Sequence, residues 1–204
     1  MLALILAGGI GSRLALGEKP LVTIDGMPMI MYVIEAFESA GFDVVAVLSR
    51  KTPYTHNWCR AHGISHYTAE GMGYVEDIAE CADAHGITGP FFTSVADIPC
   101  LERDIVQTLH EVYRHSQKDA LSSWIPRGLA ERFGSRVAYI EKINGLDACP
   151  AGINILRGDC MGTPQDETRV ILDDFRLAYN INTREALDLV TRVIRARRDL
   201  RRNS

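Results

Sequence analysis

The sequence predicts an α/β protein: a three-layer domain built on a mostly parallel mixed sheet with helices on both faces. Three observations carry that prediction. Residues 2–6 form an unbroken apolar run that empties into Ala7-Gly8-Gly9, apolar runs of strand length alternate with amphipathic stretches of helix length, and glycine or proline punctuates most junctions. The 204 residues are 47% hydrophobic and 24% charged, close to the roughly 45–50% and 25% of ordinary globular domains. We therefore expect a single domain over residues 1–204 with its own core.

The elements follow in order. Residues 2–6 are a strand buried on both faces. After the glycine loop, residues 21–24 read as a short extended piece and Asp25-Gly26 as a turn. Pro28 opens a helix whose Ile30, Val33, Ile34 and Phe37 share one face and which Gly41 closes. Residues 43–48 form the second strand, 53–62 a helix ended by Gly63, and 74–85 a helix ended by Gly86. A central strand over 91–96 finishes in Asp97-Ile98-Pro99, and a helix over 102–116 and a strand over 120–125 come next. From Arg127 the rhythm loosens. Short strands are expected at 137–141, 151–156 and 177–181, some of them antiparallel, with Lys142-Ile143-Asn144-Gly145 as a turn. Residues 185–200 close the chain as a helix, with Asn182 and Glu185 as a capping box. Its arginine-rich tail reads as a solvated cationic end.

Composition excludes several function classes. Lysine and arginine total 22 against 26 acidic residues, a net charge of −4, which lacks the basic excess of a nucleic-acid binder. No apolar run approaches the roughly 20 residues that span a bilayer, and no basic leader precedes the first strand, so we expect a cytoplasmic protein with nothing to cleave off. The five cysteines, Cys59, Cys81, Cys100, Cys149 and Cys160, are scattered without a C-x-x-C pair and read as packing residues. His62 and His66 have a zinc-like spacing, but Gly63 breaks the helix between them, and we read them as local polar surface.

The loop Leu6-Ala7-Gly8-Gly9-Ile10-Gly11-Ser12-Arg13-Leu14 leaves a buried strand, which puts its amides at the edge where open α/β sheets bind ligands. It is not a dinucleotide fingerprint, because the third glycine position falls on Leu14. Nor is it a P-loop, because Lys19 is followed by Pro20. What remains is a glycine loop with an arginine in it and a lysine whose position a proline stiffens, a pair of cations over a bed of amides suited to a triphosphate.

L-A-G-G-x-G-S-R-L with a following E-K-P-L resembles the signature of the nucleotidyltransferase superfamily that includes molybdenum-cofactor guanylyltransferases and nucleotide-sugar pyrophosphorylases, whose fold is the Rossmann-like nucleotide-diphospho-sugar transferase fold. Sugar-nucleotide members carry the proline before the lysine, whereas here Lys19 precedes Pro20. Thr52-Pro53, Gly73-Tyr74-Val75-Glu76-Asp77, Pro150-Ala151-Gly152-Ile153-Asn154 and Asn180-Ile181-Asn182-Thr183 extend the likeness to one branch, the archaeal GTP:adenosylcobinamide-phosphate guanylyltransferases. The resemblance implies GTP as nucleotide donor, Mg²⁺, and adenosylcobinamide phosphate as acceptor.

It also implies roles. Arg13 and Lys19 would neutralise the triphosphate, with Leu6, Ala7, Gly8, Gly9, Gly11 and Ser12 forming the loop beneath it. Asp97, ending a buried strand at the same edge, would ligate Mg²⁺, the alternative being a turn cap before Pro99. Asn182 is a second metal or phosphate contact or the cap of the last helix. Ser49, Thr52, Thr68, Gly71 and Gly73 fall where this fold holds the purine, although the two glycines also suit a turn. Glu70 could accept from guanine or be an exposed turn carboxylate. Gly152 and Asn154 would meet the acceptor phosphate or simply begin a strand. Because a phosphate monoester is already anionic at neutral pH, no Ser-His-Asp or Cys-His constellation is expected.

The rival readings are a nucleotidyltransferase for another phosphorylated acceptor, such as molybdopterin or a small phospho-acid, and a non-catalytic GTP-binding sensor. The expected partners are small molecules, with a homodimer left open.

Overall fold

A computed structural model describes the chain except Ile10, Ser12, Arg13, Ala15, Ser135, Arg136, Asn203 and Ser204, and the side chains of Arg201 and Arg202. The strands are β1 (Leu2–Leu6), β2 (Thr23–Ile24), β3 (Met27–Pro28), β4 (Asp43–Ser49), β5 (His66–Ala69), β6 (Pro90–Val95), β7 (Ala120–Pro126), β8 (Glu141–Ile143), β9 (Leu146–Arg157) and β10 (Glu167–Ile171). The helices are α1 (Met29–Ser39), α2 (Pro53–Ala61), α3 (Tyr74–Ala84), α4 (Arg103–Ser116), α5 (Arg127–Arg132) and α6 (Arg184–Arg202). The main sheet runs β10-β7-β9-β6-β1-β4-β5, with β8 paired to β9, while β2 and β3 form a separate hairpin. β1 is parallel to β4 and β6, β4 to β5, and β7 to β10. Only β9 runs against its neighbours β6, β7 and β8.

The two-residue period of a strand sorts the core. Ala3 and Ile5 of β1 and Ala46 and Leu48 of β4 face one side, where they meet Ile30, Val33, Ile34 and Phe37 of α1, Cys59 of α2 and Ile105, Val106 and Leu109 of α4. Leu4, Val45 and Val47 face the other side and pack on Ile78, Cys81 and Ala82 of α3. The layers are therefore unequal, with α1, α2, α4 and α5 on one face and α3 on the other. A third cluster, including Leu14, Ile24, Met29, Tyr179, Ile181, Val190 and Ile194, joins α6 to the β2–β3 hairpin. Among the described residues no helix is long and apolar enough to cross a membrane.

The departures from the sequence reading lie in the second half. The expected strand at 137–141 is displaced to Glu141–Ile143, because Asn144 and Gly145, at φ of 51° and 83°, form a two-residue hairpin turn that draws Lys142 and Ile143 into pairing with Asp147 and Leu146. The expected strand at 177–181 is a 3-10 turn, Phe175–Ala178, whose first turn Asp174 caps by accepting from the Arg176 amide at 2.9 Å. Edge strand β10 and short helix α5 were not anticipated, and β9 is longer than its expected core of 151–156. At α6 the capping residue is Thr183, whose hydroxyl accepts from the Ala186 amide at 3.2 Å, and not Asn182. The arginines of α6 are partly clamps: Arg195 and Arg198 pair with Asp25 at 2.8 and 2.7 Å.

All five cysteines are unpaired. Burial pushes the thiols of Cys59 to about 11 and of Cys81 and Cys100 to about 12, which makes them packing groups and not nucleophiles. His62 and His66 bond separately to the Trp58 and Ile64 carbonyls.

Candidate functional site

Leu6 pairs with Val47 on one side and Val95 on the other, all in parallel register, so the loops after β1, β4 and β6 open at one carboxyl edge. A cleft of about 350 Å³ lies there. Leu6, Ala7, Gly8 and Gly9 line it from the first loop, and Lys19 and Pro20 from the 3-10 turn Lys19–Leu21. Met29 reaches it from α1, Ser49 and Lys51 from the end of β4. Gly71, Gly73, Tyr74 and Asp77 come from the entry to α3, and Val95, Ala96 and Asp97 from the end of β6.

Small residues let these walls approach. A Cβ on Gly8 would lie 3.0 Å from Ser49 Cβ, and the Ser49 hydroxyl donates to the Gly8 carbonyl at 2.9 Å, so the glycine loop rests directly on the end of β4. Gly11, at φ of 60°, would bring a Cβ to 2.9 Å from Lys19 Cβ. The Lys19 amide donates to the Gly9 carbonyl at 3.3 Å. The loop thus crosses the lysine at contact distance.

Lys19, Asp97, Asn180 and Asn182 form a closed ring of polar side chains. Lys19 Nζ pairs with Asp97 Oδ2 and donates to Asn182 Oδ1 at 2.8 Å. Asn180 donates to Asp97 Oδ1 at 3.2 Å, and Asn182 donates to Asn180 at 2.5 Å. The side chains of Lys19 and Asp97 are 14% and 19% exposed, so the pair is accessible from the cleft yet mostly shielded. The backbone fixes its geometry, since the Ile181 amide donates to the Asp97 carbonyl at 3.0 Å and carries both asparagines to the end of β6. Asp97 and Asn182 offer hard oxygen donors that fit Mg²⁺, which takes one or two protein oxygens together with substrate phosphates. Among the described residues there is no group of three or more His, Cys, Asp or Glu that could hold a metal ion by itself.

On the opposite wall, Asp77 accepts from the amides of Gly71 and Met72, both at 3.1 Å, and Gly71 takes φ of 77° to allow that turn. Burial of its hydroxyl end, next to the charge of Asp97, raises the Tyr74 hydroxyl above its ordinary range.

Of the residues singled out in the sequence, Leu6, Ala7, Gly8, Gly9, Lys19, Ser49, Gly71, Gly73 and Asp97 line one cleft, and Asn182 stands beside Lys19. Others stand apart. Thr52 is fully buried and closes a turn, its hydroxyl donating to the Ser49 carbonyl at 3.0 Å. Thr68 is exposed on β5. Gly152 does not line the cleft: it packs behind Val95 at φ of 85°. Asn154 lies on the face of the sheet against Tyr74. Glu70 is held by Arg50 at 2.5 Å. Ser12 and Arg13 lie outside the described residues. Lys51, Tyr74, Asp77 and Asn180 were not anticipated, although Asn180 shares the Asn-Ile-Asn motif with Asn182 and Lys51 stands two residues past a buried strand at the binding edge.

The fold and this edge define an α/β nucleotidyltransferase. The chain belongs to the MobA-like NTP transferase domain family, whose model matches residues 3–158. It is 29% identical to the adenosylcobinamide-phosphate guanylyltransferase of Methanocaldococcus jannaschii, across 95% of this chain and 97% of that protein. Among solved structures it resembles HddC from Yersinia pseudotuberculosis complexed with GMP-PN, with a TM-score of 0.70 at 17% identity over 95% of this chain and 99% of that one. It also resembles molybdopterin-guanine dinucleotide biosynthesis protein A from Archaeoglobus fulgidus, with a TM-score of 0.64 at 18% identity over 96% and 100%.

Proposed function

We propose that this protein transfers a guanylyl group from GTP to adenosylcobinamide phosphate and releases pyrophosphate. The observation that carries the reading is the convergence of Lys19, Asp97 and Asn182 beside the glycine loop. The acceptor is taken from the relative that matches this chain over nearly its whole length.

In this reading an oxygen of the acceptor phosphate attacks the α-phosphorus of GTP, a new P–O–P link forms, and the bond to pyrophosphate breaks. The acceptor's second pKa is about 6, so its oxygen needs no protein base. The protein contributes alignment and charge neutralisation. The amides of Gly8, Gly9, Gly11 and Ser12 hold phosphate oxygens, and Arg13 forks onto the triphosphate. Lys19 meets the charge that grows on the departing pyrophosphate. Asp97 would hold Mg²⁺ with Asn182 at its side, where the ion supplies further neutralisation of the triphosphate. Ser49, Gly71 and Gly73 border the base. Gly152 and Asn154 shape the acceptor side from behind Val95 and beside Tyr74. The proposal treats residues 1–204 as one catalytic unit acting in the cytoplasm.

The test is pyrophosphate release with Mg²⁺ and adenosylcobinamide phosphate, comparing GTP with ATP, CTP and UTP. Release with GTP alone is expected. Release only with another phosphorylated acceptor would move the substrate assignment, and GTP binding without turnover for every acceptor would overturn the enzymatic reading.

A further inference from the structure

Glu18 is a buried carboxylate in a loop expected to hold phosphates, where a negative charge would oppose binding unless it were engaged elsewhere. It is only 9% exposed. Glu18 Oε1 accepts from the Tyr54 amide at 2.9 Å. Oε2 accepts from the Thr55 amide and the Thr55 hydroxyl, both at 2.6 Å. These are the orphan donors of the first turn of α2. Pro53 has no N–H to offer, and Thr52, at the capping position, has its hydroxyl committed to Ser49, so the helix is capped by a residue 36 positions upstream. The positive end of the α2 dipole favours an anion at that point. Glu18 therefore fills the α2 terminus itself, and its charge faces the helix and not the cleft.

We propose that Glu18 is a positioning residue for Lys19. The inference rests on the reading of Lys19 as the cation of the triphosphate site. Glu18 carries the lysine as its direct neighbour, and its carbonyl accepts from the Leu21 amide at 3.0 Å, which closes the turn that presents Lys19. On the other side the Lys19 amide is tied to the Gly9 carbonyl and its Cβ abuts Gly11. The lysine backbone is thus gripped between the glycine loop and α2. A four-carbon side chain reaches one point reliably only when its root is fixed, and this one reaches Asp97 and Asn182. The same clamp joins two walls of the cleft, because α2 follows the turn that carries Ser49 and Lys51.

A double-mutant cycle in the full chain separates positioning from helix capping alone. Glu18→Ala is expected to lower kcat for pyrophosphate release by about 100-fold, the scale of a small misplacement of a catalytic group. Added to Lys19→Ala, the same change should cost less than about 2-fold, since there is no longer a lysine to misplace. Equal losses with and without Lys19 would overturn the proposal. Glu18→Gln keeps the shape and serves if the alanine variant does not fold. Where wild-type protein releases no pyrophosphate, the guanylyl reading fails, and labelling of Lys19 by trinitrobenzenesulfonate without nucleotide, read by peptide mass spectrometry, decides the positioning role. Faster labelling in the Glu18 variants supports it, and unchanged labelling overturns it.

Discussion

Lys19 and Asn182, 163 residues apart in the chain, meet at 2.8 Å over the carboxyl edge of the sheet, with Asp97 on the other side of the ammonium. In the proposed reaction Lys19 is the cation of the triphosphate site, and its ammonium is already held at the cleft by two oxygens before substrate arrives. Lys19→Ala, Asp97→Asn and Asn182→Ala should each lower turnover, the first two by about 10²–10³-fold. The pair is mostly shielded, so removing one partner strands the other and should also cost about 1–3 kcal/mol of stability. Pyrophosphate release and thermal melts on the same preparations check both halves.

Gly152 acts by the space it leaves. It adopts φ of 85°, and a Cβ there would lie 2.6 Å from Val95 Cγ2, inside any tolerable contact. Val95 lines the cleft next to Asp97. Gly152→Ala should therefore destabilise by about 1–3 kcal/mol and displace Val95 toward the site, with a fall in turnover. Adding Val95→Ala removes the collision but not the backbone strain, so roughly half of the stability should return, as urea denaturation of the single and double variants would show.

The first half of the fold was legible because each of its signals is local. Residues 2–6 and 44–48 are apolar on both faces, as central parallel strands must be, 91–96 departs from that only at the buried Thr93 and Ser94, and Gly41, Gly63 and Gly86 all end helices at positive φ. The loop, Lys19 and Asp97 could be placed at one edge because strand ends in a parallel sheet share it. Later elements depend on contacts remote in sequence. β10 alternates charge with Val170 at an exposed edge, and β9 is held antiparallel by strands that precede it. The capping role of Glu18 leaves no local signal because its partners, Tyr54 and Thr55, come from another element. The 3-10 turn at 175–178 depends on an acid–arginine cluster that no periodicity announces.

His110 gives stability a pH dependence of definite sign. Its ring packs edge-on to Phe42 at 5.1 Å, beneath the Phe37–Phe92 pair. Burial lowers its pKa from the ordinary 6.5, with Arg114 acting in the same direction and Glu111 against it. The folded state resists the proton and the unfolded chain takes it up, so the neutral ring's contribution is complete above 6.5 and is lost as pH falls through the folded pKa. Urea midpoints should decline below that pH in wild type and decline less in His110→Phe, whose ring cannot titrate.

Arg176 is the second place where remote residues meet, and it controls where the asparagines stand. Its side chain is 15% exposed, and the guanidinium bonds Glu102 at 2.7 Å, Asp104 at 2.8 and 2.7 Å, and Asp174 at 2.6 Å. It thereby ties the turn that leads into Asn180 and Asn182 to the start of α4, which follows Asp97. Arg176 holds the Asp104 carboxyl below the ordinary 3.8. Burial alone would raise Asp174, but the guanidinium overrides it and that carboxyl is lowered too. Asp104 is 63% exposed, so screening leaves it a small share and the shielded contacts to Asp174 and Glu102 dominate. Arg176→Met should destabilise by about 2–4 kcal/mol, because it strands partly buried carboxylates. Arg176→Lys should recover less than half, since a point charge cannot satisfy three forked partners. Depressed carboxylates stabilise above their unfolded pKa and lose that contribution as pH falls through the folded one. The gap between wild type and Arg176→Met should therefore be full at neutral pH and shrink below 3.8, and urea titrations across that range would measure it.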